Sequence, residues 1–198
     1  QHCPDTPNQS NKPPLHIPIT VGLLNLFNGT VLPIQSLEIK GQGKINLDYP
    51  VNEVVLELTK AEQTFVFKIE KEFATPVVSL LRNFSAPVKL EMPRSLDELA
   101  FLLSYDTDAF NRWEAGQTLA INIILGLVDD IGQQRPLKVN TTIIDAFKQV
   151  LNTQWNDLSY FSLLLNLPSE TYLAEQMQVV DIDAIHEARE LVIRTLAE

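Results

Sequence analysis

The sequence has few residues of the types that carry chemistry, with one cysteine and three histidines in 198 residues. Cys3 alone cannot form an internal disulfide, and a chain of this length buries roughly 70% of its unfolded surface without cross-links or metal. No apolar run approaches the ~20 residues of a membrane span. Residues 1–5 have neither the basic nor the apolar region of a signal peptide, and they lack an initiator methionine. We therefore expect a cytoplasmic protein that does not enter a membrane.

Basic residues are also scarce, because 15 Lys and Arg face 25 Asp and Glu and give a net charge of −10. Residues 1–92 hold 8 basic and 9 acidic side chains, whereas residues 93–198 hold 7 and 16. The second half would repel a phosphate backbone or an anionic lipid surface, which excludes nucleic acid and membrane as expected partners. A solvated helical exterior explains this charge, and a basic partner or cationic ligand is the alternative.

Histidines do not occur at the spacing of a metal site. A zinc-peptidase helix needs His-Glu-x-x-His, because positions i and i+4 place two imidazoles on one face. The run that begins at His186 has Glu190 where the second histidine would stand. His2, Cys3 and His16 match no zinc spacing either. The sequence therefore predicts no metal-binding, cofactor-binding or catalytic residue.

Two carboxylate pairs are candidates for general acid and base catalysis: Asp129 with Asp130, and Asp181 with Asp183. Both pairs stand at predicted helix ends, where capping explains Asp181 and Asp183 without catalysis. A nucleophilic role for Cys3 lacks a histidine and asparagine partner pattern. Glycine-rich phosphate loops and the hydrolase serine motif are absent from the sequence.

Trp113 and Trp155 could stack on sugars or bases, but tryptophans on helical faces are commonly packing anchors. Asn28, Asn83 and Asn140 begin glycosylation sequons. These sequons matter only in a secreted protein, and nothing in the sequence indicates secretion.

The first half alternates apolar and polar residues, as strands do. Residues 1–14 are rich in proline and read as a loop, and residues 15–23 then alternate strictly. Pro18 cannot donate a hydrogen bond to a neighbouring strand. This strand is therefore predicted at the edge of its sheet, or the missing donor lies on a side of the strand that is not paired. Asn28 and Gly29 predict a tight hairpin turn with positive φ angles, and residues 41–43 predict another turn. Further strands are predicted at 31–34, 36–40, 54–58, 65–69, 77–81 and 88–90. Their regular spacing predicts an immunoglobulin-like β-sandwich over residues 1–92.

After Met92 the apolar residues recur every three or four positions, as they do in helices. A capping box, Ser95 with Glu98, starts the first of six predicted helices. The remaining starts lie at Asp106 to Asp108, Thr141 or Thr142, Asp157, Ser169 and Asp181. Short polar links predict a solenoid-like stack over residues 93–198, as the N-terminal part of a larger helical domain. The apolar pattern reaches Leu196 without a polar cap, so we expect association or local disorder there.

Five stretches of the sequence carry a family resemblance in combination. They are residues 15–19 (LHIPI, after the proline-rich lead), 61–67 (AEQTFVF), 80–90 (LLRNFSAPVKL), 108–117 (DAFNRWEAGQ) and 167–170 (LPSE). In this order they resemble the bacterial alanyl aminopeptidase (aminopeptidase N) branch of the zinc aminopeptidases.

The resemblance implies that this chain corresponds to the small β-sandwich and the first helices of the C-terminal domain of such enzymes. The zinc motif, its downstream glutamate and the Gly-x-Met-Glu-Asn loop belong to a separate catalytic domain and have no counterpart here. Zn²⁺ would be the cofactor of the parent enzyme, and zinc-bound water would release N-terminal residues from peptides. The implied partners are the remaining domains of the parent and, through the whole enzyme, its peptide substrates. This chain would be a non-catalytic fragment, a spacer followed by the start of a helical cap over the active site.

Two other functions fit the residues. A stand-alone adaptor would present its helical surface to a protein partner, with the incomplete helical end as the docking face. A carbohydrate-binding sandwich needs exposed aromatic residues on the β half, whereas Trp113 and Trp155 both lie in the helical half.

Overall fold

The computed structural model describes residues 1–10, 12–69 and 75–198 of the chain. The chain divides into two compact units, Gln1–Glu91 and Met92–Glu198. Strands lie in the first unit and helices in the second, which confirms the β-then-α order predicted from the change of hydrophobic period.

The described residues of the first unit form six strands in two antiparallel sheets. The strands are β1 (Ile17–Asn25), β2 (Ile34–Ile39), β3 (Gly43–Val51), β4 (Glu53–Leu58), β5 (Phe65–Lys68) and β6 (Pro76–Leu80). One sheet has the order β4-β1-β6 and the other β3-β2-β5. Apolar side chains from both sheets share one core, which makes the unit a β-sandwich. The buried members of this core are Val21, Leu23, Leu32, Ile34, Leu37 and Leu56.

Strand β1 is the central strand of its sheet, yet it contains a proline. The pairing of β1 with β6 ends at Val21, opposite Leu80, so the first residues of β1 pair with β4 alone. The Thr20 N–H donates to Ser85 Oγ at 2.9 Å rather than to β4. The nitrogen of Pro18, two residues earlier, points to the same side because strand residues alternate. Pro18 therefore interrupts an unpaired side, the second of the two predicted arrangements.

The lead of residues 1–14 is a loop as predicted, although residue 11 lies outside the described part. Gln1, the first residue of this loop, is hydrogen-bonded to Leu15, just before the start of β1. The Gln1 side-chain amide donates to the Leu15 carbonyl oxygen at 2.8 Å and accepts from the Leu15 N–H at 2.9 Å.

The predicted turn at Asn28 and Gly29 is longer than expected. The Asn25 N–H donates to the Thr30 carbonyl oxygen at 2.8 Å, which closes a four-residue loop over 26–29. Gly29 has a φ of 72°, whereas Asn28 keeps a negative φ. Four-residue hairpin loops are usually built on an ordinary turn, so one left-handed residue suffices.

Two predicted strands are absent, and one observed strand was not predicted. Residues 31–34 do not form the predicted strand, because Val31 makes only an isolated bridge to Leu24 and β2 begins at Ile34. Strand β3 was not predicted, although Ile45, Leu47, Tyr49 and Val51 recur at every second position of the sequence. The residues between them include Asn46, Asp48 and Pro50, which are types depleted in strands. The strand predicted at 88–90 is absent from the structure, since the Val88 N–H donates to the Ala86 carbonyl oxygen in a local turn. A short 3₁₀ turn, Arg82–Phe84, precedes that segment and was also not predicted.

The described residues of the second unit form six helices, which confirms the predicted number and starts. They are α1 (Leu96–Tyr105), α2 (Ala109–Gly132), α3 (Thr141–Asn152), α4 (Leu158–Leu164), α5 (Glu170–Glu175) and α6 (Ile182–Ala197). The residue before each helix accepts a hydrogen bond from a first-turn amide, and this capping explains why the starts are readable from sequence. The capping residues are Ser95, Asp108, Asn140, Asp157, Ser169 and Asp181.

The helices pack in neighbouring pairs. Helix α1 contacts α2 and α3, α6 contacts α2, and α5 lies on α6. The buried face of α3 differs from the predicted stripe of Ile144, Phe147 and Leu151. It consists of Ile143, Ala146, Phe147 and Val150, while Leu151 is 54% exposed. Helix α3 carries two adjoining apolar stripes, and the sequence does not indicate which one faces its neighbours.

Candidate functional site: buried polar clusters and an apolar groove

A buried arginine lies across the sheet of β1, β4 and β6. Gly22 of β1 is paired with Glu53 on one side and Ser79 on the other. The Arg82 side chain, 6% exposed, lies above this glycine, where a Cβ atom would be 3.0 Å from Arg82 Cδ. Arg82 Nε donates to Glu53 Oε1 at 2.7 Å and Nη1 donates to Ser79 Oγ at 3.0 Å. We call this set of four residues the Arg82 lock.

The backbone that delivers Arg82 is strained. Leu81, Asn83 and Phe84 have φ angles of 56°, 54° and 52°, a left-handed region that costs a residue with a side chain about 1–3 kcal/mol. The Asn83 side chain adds a 3.4 Å hydrogen bond from Nδ2 to Glu53 Oε2. The lock holds this turn against the sheet, so its polar groups have a structural task.

A second polar cluster lies where α2 meets α4. The Arg112 guanidinium lies 5.0 Å from the centre of the Trp155 ring, and Nη2 donates to the Ser104 carbonyl oxygen at 3.0 Å. Burial lowers the pKa of Arg112, and the charges of Tyr160 and Asp106 oppose that effect. A guanidinium remains charged under such conditions, so it acts here as a cation on an aromatic face.

The Tyr160 hydroxyl belongs to the same cluster and donates to the Ala109 carbonyl oxygen at 2.7 Å. Burial raises the pKa of Tyr160 to about 12; Arg112 lowers it, whereas Asp106 and Asp108 raise it. The hydroxyl therefore keeps its proton at neutral pH and serves as a hydrogen-bond donor, which does not suit a catalytic base.

Both tryptophans make packing contacts, which favours the packing interpretation. The Trp155 Nε1–H donates to the Val150 carbonyl oxygen at 2.8 Å, and its ring stacks on Phe161 with 6.0 Å between ring centres. Trp113 lies 5.8 Å from the Phe110 ring.

His186, the first residue of the zinc-motif-like run, forms a hydrogen bond between helices. Its Nδ1 lies 2.8 Å from Glu170 Oε1 at the start of α5. The hydrogen bond to Glu170 raises the pKa of His186, with smaller contributions from the Glu170 charge and from Glu190; Arg189 lowers it. One turn later, Arg189 Nε donates to the Pro168 carbonyl oxygen at 2.9 Å. This face of α6 therefore holds α5.

The other metal-ligand candidates are apart. His16 Nε2 lies 3.6 Å from Glu57 Oε2 on the neighbouring strand, and Cys3 Sγ lies 3.9 Å from Gln1 Oε1. Within residues 1–10, 12–69 and 75–198, no three His, Cys, Asp or Glu side chains are placed to hold a metal ion. In the same described part, no helix has the length and apolarity needed to cross a membrane.

The two predicted carboxylate pairs lie at helix ends, where they make local hydrogen bonds. Arg135 donates from Nη2 to Asp129 Oδ2 and from Nε to Asp130 Oδ1, both at 2.6 Å, near the end of α2. Asp181 Oδ1 accepts from the Ala184 N–H at 3.0 Å and caps α6, and Asp183 lies in the first turn. An arginine that follows α2 offsets the unfavourable position of two acids at a helix C-terminus.

Residues of the 108–117 stretch also maintain the helix packing. Asp108 caps α2, where its Oδ1 accepts from the Asn111 N–H at 2.9 Å. At Gly116 a Cβ atom would lie 2.9 Å from Leu103 Cδ1, so this glycine permits close approach of α1. Gln117 Nε2 donates to the Asn166 carbonyl oxygen at 2.8 Å, next to the 167–170 stretch.

An apolar groove lies between α3 and the end of α6. It has a volume of about 210 Å³ and is open to solvent. Four of its members, Ile144, Phe147, Leu151 and Leu196, belong to apolar helix faces predicted from the sequence. The groove is lined by Ile144, Phe147, Lys148, Leu151, Thr195, Leu196 and Glu198.

Comparison with known proteins matches both units. A family model described as a domain of unknown function with an Ig-like fold (DUF3458) matches residues 1–93. A second, described as ARM repeats (DUF3458_C), matches residues 96–198. These descriptions agree with the predicted sandwich followed by a helical solenoid.

Several relatives are aminopeptidases. Aminopeptidase N of Escherichia coli strain K12 is 41% identical over 197 residues, which cover 100% of this chain and 21% of that protein. Aminopeptidase N of Haemophilus influenzae is 33% identical over 198 residues, with 100% and 21% covered. A crystal structure of Legionella pneumophila aminopeptidase A in complex with aspartic acid has a TM-score of 0.64 and 25% identity over 91% of this chain and 18% of that one. The chain thus spans about a fifth of the length of these curated relatives.

Proposed function

Because the chain belongs to the family defined by the Ig-like DUF3458 domain and the ARM repeats of DUF3458_C, we propose that it is non-catalytic scaffold of a zinc aminopeptidase. One observation carries the proposal: residues in the stretches that carry the resemblance are engaged in fold contacts. Arg82 locks a sheet, Arg112 stacks on Trp155, and Gln117 bonds Asn166. These contacts within the fold account for the presence of the three side chains without a role in substrate chemistry.

In this role the sandwich, residues 1–92, is a spacer domain, and the helices of 93–198 begin the cap over the substrate chamber. The partners are the other domains of the aminopeptidase, and the compartment is the cytoplasm. The whole enzyme would remove N-terminal residues from peptides, with Zn²⁺ supplied by its catalytic domain. The described residues of this chain do not fit that metal, because His186 already pairs with Glu170 and Glu190 replaces the second histidine.

The direct test is an assay of the rigorously purified chain on an alanyl-anilide substrate, with zinc measured after dialysis. Full-length Escherichia coli aminopeptidase N serves as the active control. We expect no turnover and no stoichiometric zinc in the chain. Zinc-dependent turnover, or one retained zinc per chain, would contradict the proposal.

In this proposal the groove between α3 and α6 is covered by further polypeptide of the parent enzyme. In repeat arrays each repeat buries its apolar face against the next. When the chain is isolated, two copies would cover Leu151 and Leu196 by self-association. Sedimentation equilibrium should show a concentration-dependent mass that is lost in Leu151→Glu. The matched control is Leu158→Glu, which adds the same charge at a leucine exposed outside the groove lining. A strictly monomeric wild-type chain at high concentration would contradict this contact.

A stand-alone adaptor is the second candidate, favoured by the same groove, which would then receive a separate protein. The coding sequence distinguishes the two. A gene that ends near Glu198 favours the adaptor, and a much longer one favours the aminopeptidase.

A further inference from the structure

Residues 156–167, which contain α4, contact α2 through side-chain hydrogen bonds and contact Trp155 through two aromatic rings, and we call them the α4 strap. The Tyr160 hydroxyl donates to the Ala109 carbonyl oxygen at 2.7 Å near the start of α2. Two turns along the same helix, Gln117 Nε2 donates to the Asn166 carbonyl oxygen at 2.8 Å. The strap is therefore fastened near both of its ends by single hydrogen bonds.

The strap buries little apolar surface. Leu164 is its one fully buried leucine, and Phe161, Leu165 and Leu167 are half-buried, whereas Leu158 is 72% and Leu163 is 53% exposed. Helix α6, in contrast, packs on its neighbours through four buried apolar side chains at helical spacing. Segments with few buried apolar contacts and exposed backbone hydrogen bonds open locally at lower free energy than the core.

Hydrogen bonds to α3 and α6 hold the residues immediately outside the strap. Before it, the Trp155 Nε1–H bonds the Val150 carbonyl oxygen at the end of α3. After it, the Pro168 carbonyl oxygen accepts from Arg189 Nε on α6 at 2.9 Å. Residues 153–157 and 165–169, on the two sides of α4, lie outside the helices and can take up backbone rotation.

We propose that the α4 strap opens as a unit while the rest of the helical unit stays folded, and that opening uncovers the Trp155 ring. In the closed state Phe161 stacks on Trp155 with an interplanar angle of 22°, and Tyr160 meets its edge. Both leave with the strap, whereas Trp155 stays with α3 and Arg112 with α2. The open state thus presents a tryptophan face beside a guanidinium. This device goes beyond the scaffold role and does not depend on it.

Hydrogen exchange of the full chain, resolved by segment, tests the proposal. Amides of α4 should exchange faster than those of α2 and α6 in the wild type. Tyr160→Phe should accelerate α4 exchange about fivefold, the effect of one lost hydrogen bond, and leave α2 and α6 unchanged. Tyr172→Phe, an exposed tyrosine of α5, is the matched control and should leave α4 exchange unaltered.

A second measurement follows the tryptophan itself. In a Trp113→Phe background, acrylamide should quench Trp155 fluorescence more strongly when Tyr160 is also replaced by Phe. The proposal is overturned if α4 amides exchange as slowly as those of α2 in the wild type. It is equally overturned if Tyr160→Phe leaves α4 exchange unchanged, or accelerates α2 and α6 as much as α4.

Discussion

Two glycines of helix α2 show how the same residue type can have opposite effects in one element. Glycine in a helix interior is about 1 kcal/mol less favourable than alanine. At Gly116 a Cβ atom would come within 2.9 Å of the buried Leu103, whereas at Gly126 it would meet nothing within 4 Å. Gly116 therefore serves packing, and Gly126 has no packing reason.

We expect Gly116→Ala to destabilise the chain by about 1–2 kcal/mol, since overpacking of 1–3 kcal/mol exceeds the gain in helix propensity. Gly126→Ala should stabilise it by about 1 kcal/mol. Urea unfolding followed by circular dichroism gives both values. If both substitutions changed the free energy of unfolding in the same direction, the close approach of α1 at Gly116 would be contradicted. A smaller cost of Gly116→Ala in a chain that also carries Leu103→Val would support it.

Arg82 gives a second prediction at this scale. Arg82→Met removes the donors to Glu53 and Ser79, and should cost about 2–3 kcal/mol. This is below the 3–5 kcal/mol of a fully buried pair because the Glu53 side chain is 36% exposed. Lys89→Met is the control, since Lys89 pairs with Glu91 at the surface and should change stability by less than about 0.5 kcal/mol. Equal losses in the two variants would refute the lock.

At the scale of elements, helix starts were predictable and strand edges were not. A cap such as Asp181 bonds an amide three residues ahead, so its signal lies within one short window. Strand β3 was missed because Asn46, Asp48 and Pro50, residue types depleted in strands, stand between its alternating apolar residues. The Arg82 lock joins Gly22, Glu53 and Ser79, which are far apart in sequence, so no local pattern could indicate it.

The contact between α5 and α6 should depend on pH. His186 is protonated more readily in the folded chain, because its hydrogen bond with Glu170 raises the pKa above the unfolded value. The contribution of the pair to stability is therefore fully present below the unfolded pKa of about 6.5, and it is lost as pH rises through the folded pKa.

Unfolding measured from about pH 6 to pH 9, across the reference pKa of histidine, should show this loss in the wild type relative to His186→Gln. The comparison subtracts the other histidines, which titrate in both proteins. Glu170→Gln should remove the same pH-dependent difference, because the pair then has no acidic partner. A difference between wild type and His186→Gln that is constant with pH would show that the pair contributes no charge interaction.

At the scale of the whole molecule, each unit has its own hydrophobic core. Sheet residues such as Val21 and Ile34 fill the first, and helix residues such as Leu119 and Ile143 are buried in the second. Sequence reasoning anticipated this division because the hydrophobic period changes at the junction. It did not locate the groove, since α3 offers two stripes of similar character.

We expect residues 1–92 and residues 93–198 to fold when produced separately, because a shared core is not needed for either. Circular dichroism should give a β spectrum for the first piece and a helical spectrum for the second, each with cooperative unfolding. A piece that lacks a cooperative transition would show that the two units depend on each other for stability.

Pro18 has a consequence for the behaviour of this chain in concentrated solution. Its nitrogen faces the side of β1 where the pairing with β6 has already ended. A strand from another molecule that paired with β1 on this side would receive no hydrogen bond from Pro18, because proline has no amide hydrogen. Exposed ladders are the templates on which chains aggregate edge to edge. One imino acid thus removes a nucleation point for intermolecular sheet growth, without disturbing the hydrogen bonds that β1 makes to β4.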